Sequence, residues 1–281
     1  MMTPMTAIEF FKGHGTGNDF VLLPDLDGKL DLEPSVVAAL CDRRFGLGGD
    51  GLLRVVRSAA HPETAGLRDA PEFFMDYRNA DGSVAEMCGN GVRVFVRYLV
   101  EAGLADGSVT LLTRAGPVSA TVTDQQVAAR LRRPRLTGEG TARLAGREFS
   151  GVQVDCGNPH LVCPLSADVE LAALDLTHMP AVDPAQFPDG TNVEFLAPLA
   201  ADHVRMRVYE RGVGETLSCG SGACAAAAVT LAQRGTDTGT VTVDVPGGRL
   251  TVEITDDAAT LAGPAVLIAH GTVDLSRLRQ R

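Results

Sequence analysis

Residues 223–229 read Ala-Cys-Ala-Ala-Ala-Ala-Val, a helix-forming run that is apolar nearly all round. A helix without a polar face is buried on most sides, so the fold has to wrap something around it, and a curved sheet does this. The run follows the turn Ser218-Cys219-Gly220-Ser221-Gly222. A similar turn, Met87-Cys88-Gly89-Asn90-Gly91, lies far upstream and enters Val92-Arg93-Val94-Phe95-Val96. Each half of the chain thus holds strands, a Cys-Gly turn, an Ala/Val-rich helix and further strands.

Short alternating apolar segments such as Phe20–Leu23, Gly51–Val56, His203–Tyr209 and Leu250–Ile254 read as strands, separated by Gly, Pro, Asn and Asp. Helical patterns are fewer: Pro34 to Arg43, Gly91 to Ala102, Asp168 to Leu174 and Ser221 to Arg234. Many strands with few helices predict an α+β fold rather than a doubly wound parallel sheet. The boundary between halves is expected within Arg130–Gly140, where Arg, Pro and Gly break the strand pattern. That gives one domain over residues 1–130 and another over 131–264. Residues 58–70 read as a mobile surface loop.

With 281 residues, 45% of them hydrophobic, the chain can bury a large core. Its net charge of −10 and lack of a long basic cluster argue against nucleic acid or an anionic membrane as partner. No window reaches the roughly 18 apolar residues of a membrane span. Met1 to Glu9 has no charged leader before a long apolar run, and six Cys are too sparse for a disulfide scaffold. A cytoplasmic protein with free thiols is expected.

Cys88 and Cys219 each precede a helix N-terminus, a place that lowers a thiol's pKa and offers backbone N–H groups to an anion. Two opposed acid/base thiols are what inversion of a stereocentre requires. Cys41 and Cys224, within helical patterns, read instead as small buried hydrophobes. A metal site lacks the spacing, since Cys219 and Cys224 miss the same-face offset and nothing completes a cluster with Cys156, His160 and Cys163. Gly13-x-Gly15-x-Gly17 leads into a strand, not a helix, so it is no dinucleotide fingerprint. Asn158, His160, Asn192, Glu210 and Arg211 each read alone as turn or surface residues. Together with two thiols they form a set suited to a zwitterion: Arg for a carboxylate, Glu for an ammonium, Asn for either.

In these stretches the chain resembles diaminopimelate epimerases. The matching segments are Gly15-Thr16-Gly17-Asn18-Asp19-Phe20, Tyr77-Arg78-Asn79-Ala80-Asp81-Gly82-Ser83, Glu86-Met87-Cys88-Gly89-Asn90-Gly91, Gly157-Asn158-Pro159-His160, Gly190-Thr191-Asn192-Val193, Tyr209-Glu210-Arg211-Gly212 and Cys219-Gly220-Ser221-Gly222, in family order along most of the chain. The resemblance implies two similar domains, each a curved, mostly antiparallel sheet around a central helix, with residues 265–281 returning to the first domain and the active site in the interdomain cleft. It implies conversion of LL- to meso-2,6-diaminopimelate without pyridoxal phosphate, metal or other cofactor, on the route to lysine and peptidoglycan. It makes Cys88 and Cys219 the acid/base pair, and has His160 and Glu210 tune them. Gly89, Asn90, Gly220 and Ser221 would hold the reacting carboxylate through backbone N–H groups, while Asn18, Asn79, Asn158, Asn192, Glu210 and Arg211 contact substrate. A homodimer is implied too. One departure is Gly51, where many members carry a Gln that touches substrate.

The nearest alternatives are a proline-racemase-type enzyme, whose first turn tends to read Cys-Gly-His rather than Cys88-Gly89-Asn90, and a phenazine-pathway isomerase, which lacks the Cys pair. A non-enzymatic thiol redox sensor needs a low-pKa Cys and a resolving Cys, but not the Asn, Arg and Glu set.

Overall fold

The computed structural model describes residues 7–123 and 125–278. Its strands in chain order are β1 (Ala7–Gly15), β2 (Asn18–Pro24), β3 (Gly51–Arg57), β4 (Phe73–Asn79), β5 (Ser108–Thr113), β6 (Gly116–Val122), β7 (Val127–Arg132), β8 (Arg135–Leu144), β9 (Arg147–Asp155), β10 (Pro159–Pro164), β11 (Ala181–Val182), β12 (Asn192–Ala200), β13 (His203–Glu210), β14 (Gly214–Thr216), β15 (Gly239–Val245), β16 (Gly248–Ile254), β17 (Ala258–Gly263) and β18 (Val266–Asp274). The helices are α1 (Pro34–Cys41), α2 (Gly89–Glu101) and α3 (Gly220–Gln233). The chain divides into two units: the first ends at Ala129 and resumes at Ala265, and the second is Arg130–Pro264. The architecture is α+β and dominated by sheet.

The two units repeat one pairing rule. In the first, β1–β2 is antiparallel, β2–β3 parallel, β3–β4 antiparallel, β4–β5 parallel and β5–β6 antiparallel. In the second, β9–β10, β10–β12, β12–β13, β13–β15 and β15–β16 follow the same alternation. β18 pairs antiparallel with β1, Ala7 facing Asp274, so the chain's last strand completes the first sheet. Arg97 of α2 fastens this return by donating to the Ala265 carbonyl at 3.2 Å and to the Thr123 carbonyl at 3.1 Å.

Each unit packs its sheet around one helix. α3 is buried along nearly all of Gly220–Leu231 and touches β10, β12, β13, β15, β16 and β17. Alanines both favour the helix and let strands approach on every side. Burying Val229 and Leu231 adds about 1.5–3 kcal/mol each. α2 is equally enclosed but carries Arg93, fully buried, which donates to Asn90 Oδ1 at 2.6 Å and Thr16 Oγ1 at 3.1 Å.

Three local expectations need correction. Asp168 to Leu174 forms only a 3-10 turn over Leu171–Ala173. A seven-residue segment cannot repay helix nucleation by itself, and the turn that forms instead is tied by the Arg207 guanidinium, which donates to the carbonyls of Leu171, Ala172 and Leu174. Arg130–Gly140 does not break the sheet: β7 and β8 run through it, and Arg135–Glu139 is exposed on both faces, so alternation gives no signal there. Residues 58–70 contain a 3-10 turn and are pinned, with His61 and Thr64 buried, Thr64 Oγ1 donating to the Ser58 carbonyl at 2.7 Å, and Arg114 gripping both Glu63 oxygens at 2.8 Å.

Candidate functional site

Both Cys-Gly turns adopt one cap geometry. Cys88 is the N-cap of α2 in extended conformation (φ −140°, ψ 120°), and its Sγ accepts from the Gly91 N–H at 3.4 Å. Cys219 is the N-cap of α3 (φ −116°, ψ 117°), and its Sγ accepts from the Gly222 N–H at 3.4 Å. The intrahelical ladders start at Val92 N to the Cys88 carbonyl and Ala223 N to the Cys219 carbonyl. Gly89, Asn90, Gly220 and Ser221 therefore present their N–H groups at helix N-termini, where the dipole favours an anion.

In the first unit Asn18 is the hub. Its Oδ1 accepts from Cys88 Sγ at 3.6 Å and Asn90 Nδ2 at 3.2 Å, and its Nδ2 donates to Asp50 Oδ2 at 2.8 Å. Asp50 is held by Arg43 at 2.7 Å, just beyond α1, whose end is turned by the Asp42 carboxylate accepting from the N–H groups of Arg44 and Phe45 at 2.8 Å. Asn79 ends β4, where its Oδ1 accepts from the Tyr77 hydroxyl at 3.1 Å and its Nδ2 donates to Ser83 at 3.0 Å. Gly51 pairs with Asn79 across β3–β4, and a Cβ there would lie 2.7 Å from the Arg78 carbonyl and 2.8 Å from Tyr77 Cε2. The Tyr77 ring thus occupies the space a longer residue at 51 would need.

In the second unit the parallel register of β10 and β12 sets His160 opposite Asn192. His160 Nδ1 lies 2.7 Å from Glu194 Oε1 and its Nε2 lies 3.1 Å from Asn158 Oδ1, with His160 and Glu194 fully buried. Asn158 and His160 also edge a recess of ≈ 220 Å³ with Gln153, Asp155 and Gln186. Asn192 Oδ1 accepts from the Arg211 N–H at 2.9 Å, and exposed Arg211 donates to the Asp189 carbonyl at 3.0 Å. Glu210 accepts from the Thr216 hydroxyl and from the Cys219 thiol.

The site residues of the second unit hold protons tightly. Burial raises the Glu210 carboxyl, and the neighbouring Glu194 carboxylate adds to this against the hydrogen bonds from Thr216 and Cys219. Burial likewise pushes the Cys219 thiol well up, reinforced by Glu210 and Glu194, while hydrogen bonds from Ser221 and Gly222 pull the other way. The lowering expected at a helix N-terminus is outweighed here by desolvation beside two carboxylates. Glu194, Tyr77, Asp50 and Thr216 are site neighbours that sequence reasoning missed. Glu194 reads as an ordinary residue of an alternating strand, and only the β10–β12 register signals its place. Among the described residues, no three His, Cys, Asp or Glu side chains group as a metal ion needs.

Comparison with known proteins places the chain in a family. The family model described as Diaminopimelate epimerase matches residues 10–135 and 152–268. A diaminopimelate epimerase of Mycolicibacterium smegmatis is 50% identical over 94% of this chain and 96% of its own length. One from Streptomyces coelicolor is 51% identical over 96% of both chains. Among solved structures, a phenazine biosynthesis protein of the PhzF family from Bacillus anthracis shares the fold (TM-score 0.71, 19% identity, 96% of this chain and 99% of that one). So does a hydroxyproline epimerase from Agrobacterium vitis (TM-score 0.69, 14% identity, 97% and 94%). Matched through both halves and half-identical to relatives along nearly its whole length, the chain belongs to the diaminopimelate epimerase family.

Proposed function

We propose that this isomerase interconverts LL- and meso-2,6-diaminopimelate by a two-base transfer at the α-carbon, with Cys88 and Cys219 as acid and base. The observation that carries the reading is that the two thiols occupy the same N-cap position on the central helices of two sheets built by one pairing rule. One thiolate takes the α-proton and becomes a thiol; the opposite thiol gives its proton to the other face of the carbon and becomes a thiolate. First-turn N–H groups of both helices receive the reacting carboxylate and stabilise the charge that builds as the carbon acid ionises. Cys219, kept as a thiol by burial beside Glu210 and Glu194, enters as the acid when Cys88 abstracts. Asn18, Asn79, Asn158, Asn192 and Arg211 serve the substrate, including its distal zwitterionic end, and Glu210 takes Cys219's hydrogen bond. Each unit supplies one thiol. No cofactor takes part.

The reading extends to a cytoplasmic homodimer; sedimentation velocity checks the dimer. No helix among the described residues is long and apolar enough to cross a membrane.

Proton NMR of LL-diaminopimelate with the protein in D₂O under reducing conditions tests the reaction. Loss of the α-proton signal with growth of the meso isomer is the expected result. Exchange with hydroxyproline but not with diaminopimelate overturns the substrate, and exchange with neither overturns the reaction.

Glycine at 222 gives a second prediction. A Cβ there would sit 2.7 Å from Glu194 Oε1 and 3.3 Å from Cys219 Sγ, whereas at Gly91 the nearest atoms are Cys88 Cβ and Leu53 Cδ2, both at 3.3 Å. Gly222→Ala should displace the carboxylate or the thiol and lower kcat by on the order of 10²-fold, the cost of an ångström-scale misplacement. Gly91→Ala should cost less. Steady-state kinetics on both variants, with circular dichroism to check folding, decides; a Gly222→Ala enzyme of full activity counts against this packing.

A further inference from the structure

The shared pairing rule makes positions in the two units equivalent. Phe20 faces Gly51 as His160 faces Asn192, and Leu22 faces Leu53 as Val162 faces Glu194. The residue that backs the first Cys-Gly turn is therefore Leu53, 3.3 Å from a Cβ at Gly91, and its counterpart behind the second turn is Glu194, 2.7 Å from a Cβ at Gly222. The fold is satisfied by hydrocarbon at this position. A carboxylate there is fully buried, and its Oε2 has no hydrogen-bond partner. Such burial is costly and calls for a return other than packing.

The same contrast holds one step away, where Phe20 in the first unit answers to His160 in the second. Histidine and glutamate are thus both peculiar to the second unit at these equivalent positions, and they touch each other through Nδ1 and Oε1 at 2.7 Å. The other ring nitrogen, Nε2, faces Asn158 at 3.1 Å, at the edge of the recess. A side-chain amide can accept through its oxygen or, turned over, donate through its nitrogen, so Asn158 suits Nε2 with or without a proton. A carboxylate can only accept, so it suits Nδ1 only with one.

We propose that Glu194 is a positioning residue: it holds a proton on His160 Nδ1 and so leaves Nε2 as the single ring nitrogen that exchanges protons. Glu194 acts through His160 and touches no substrate. A carboxylate that fixes the tautomer of an acid/base histidine serves the same purpose in hydrolytic triads. The kinetic part of this proposal rests on the two-thiol epimerase reading; the tautomer part does not.

The test combines nitrogen-15 spectra of the histidine-labelled full chain with kinetics, the His160 signal being assigned by its loss in His160→Gln. Wild-type protein should show Nδ1 protonated. Glu194→Gln, whose amide can donate as well as accept, should release the lock and show mixed tautomers, with kcat lowered by on the order of 10²-fold or more and KM within about threefold. Glu194→Asp should recover part of the kcat and the Nδ1 proton. Glu194→Leu, which installs the residue of the equivalent position, should fold and show the same loss as Glu194→Gln. A bare Nδ1 in the wild type overturns the proposal, as does a Glu194→Gln protein with an unchanged His160 spectrum, whatever its kcat. If Glu194→Gln does not fold, the wild-type spectrum and Glu194→Leu decide in the same sense. A wild-type protein that exchanges no α-proton removes the epimerase reading, and the spectra still judge Glu194.

Discussion

Replacing either Cys88 or Cys219 by Ser should lower the rate of epimerisation by on the order of 10³-fold or more, within the range that a positioned acid or base supplies. Serine keeps the size and the cap acceptor, so Gly91 and Gly222 retain a partner for their N–H groups and the helix starts survive. The loss is chemical, since a hydroxyl ionises far less readily than a thiol and is a poorer base for a carbon acid. Inversion needs both groups in one turnover, so the double variant should be little worse than either single one. Deuterium uptake separates the roles: a single variant can still wash label into one stereoisomer without producing the other. A single variant keeping more than a tenth of wild-type epimerisation would sink the two-base mechanism.

Asp76 is where the largest loss of stability is expected. Its carboxylate is fully buried, at 2.7 Å from Arg114, 2.8 Å from Arg78, and 3.7 Å from both Arg54 and His61. Asp76→Ala would remove the anion shared by the half-buried Arg78 and Arg114 and by Arg54. Although Arg114 keeps Glu63 and Arg54 keeps Asp25, Arg78 loses its partner, a change that costs about 3 kcal/mol. Burial acts to raise the Asp76 carboxyl, yet the Arg78 and Arg114 hydrogen bonds win, and its folded pKa lies below the ordinary 3.8. A depressed carboxylate contributes stability that is in place above its unfolded pKa and fades as pH falls through the folded one. Urea unfolding monitored on the first unit should therefore show the gap between wild type and Asp76→Ala narrowing only in strong acid. An unchanged midpoint at neutral pH would refute the argument.

The sequence disclosed what depends on neighbours along the chain. Cys88 and Cys219 declare themselves because a helix cap is local, and α3 does because its alanines leave no polar face. What lay hidden depends on pairing at a distance. His160 and Glu194 meet only through the parallel register of β10 and β12, which no periodicity encodes. The exposed half of β8 hides for the opposite reason, as a strand wetted on both faces carries no alternation. Cys219 shows a third kind of hiddenness. The helix terminus that favours a thiolate is visible in the residues, but the desolvation that opposes it belongs to the folded interior.

The pairing of β18 with β1 reaches further than architecture. The ribosome delivers β1 first and β18 last, with the whole of Arg130–Pro264 in between. While the chain emerges, the edge of β1 that will receive β18 stays open, and the first unit cannot close until the whole of the second has been made. The second unit has its last strand, β17, in place just before β18 begins. Vectorial synthesis thus reverses the usual order, with the inserted unit maturing first and the unit that starts the chain finishing last. A released chain that ends at Pro264, lacking β18, should resist protease in its second unit and yield in its first.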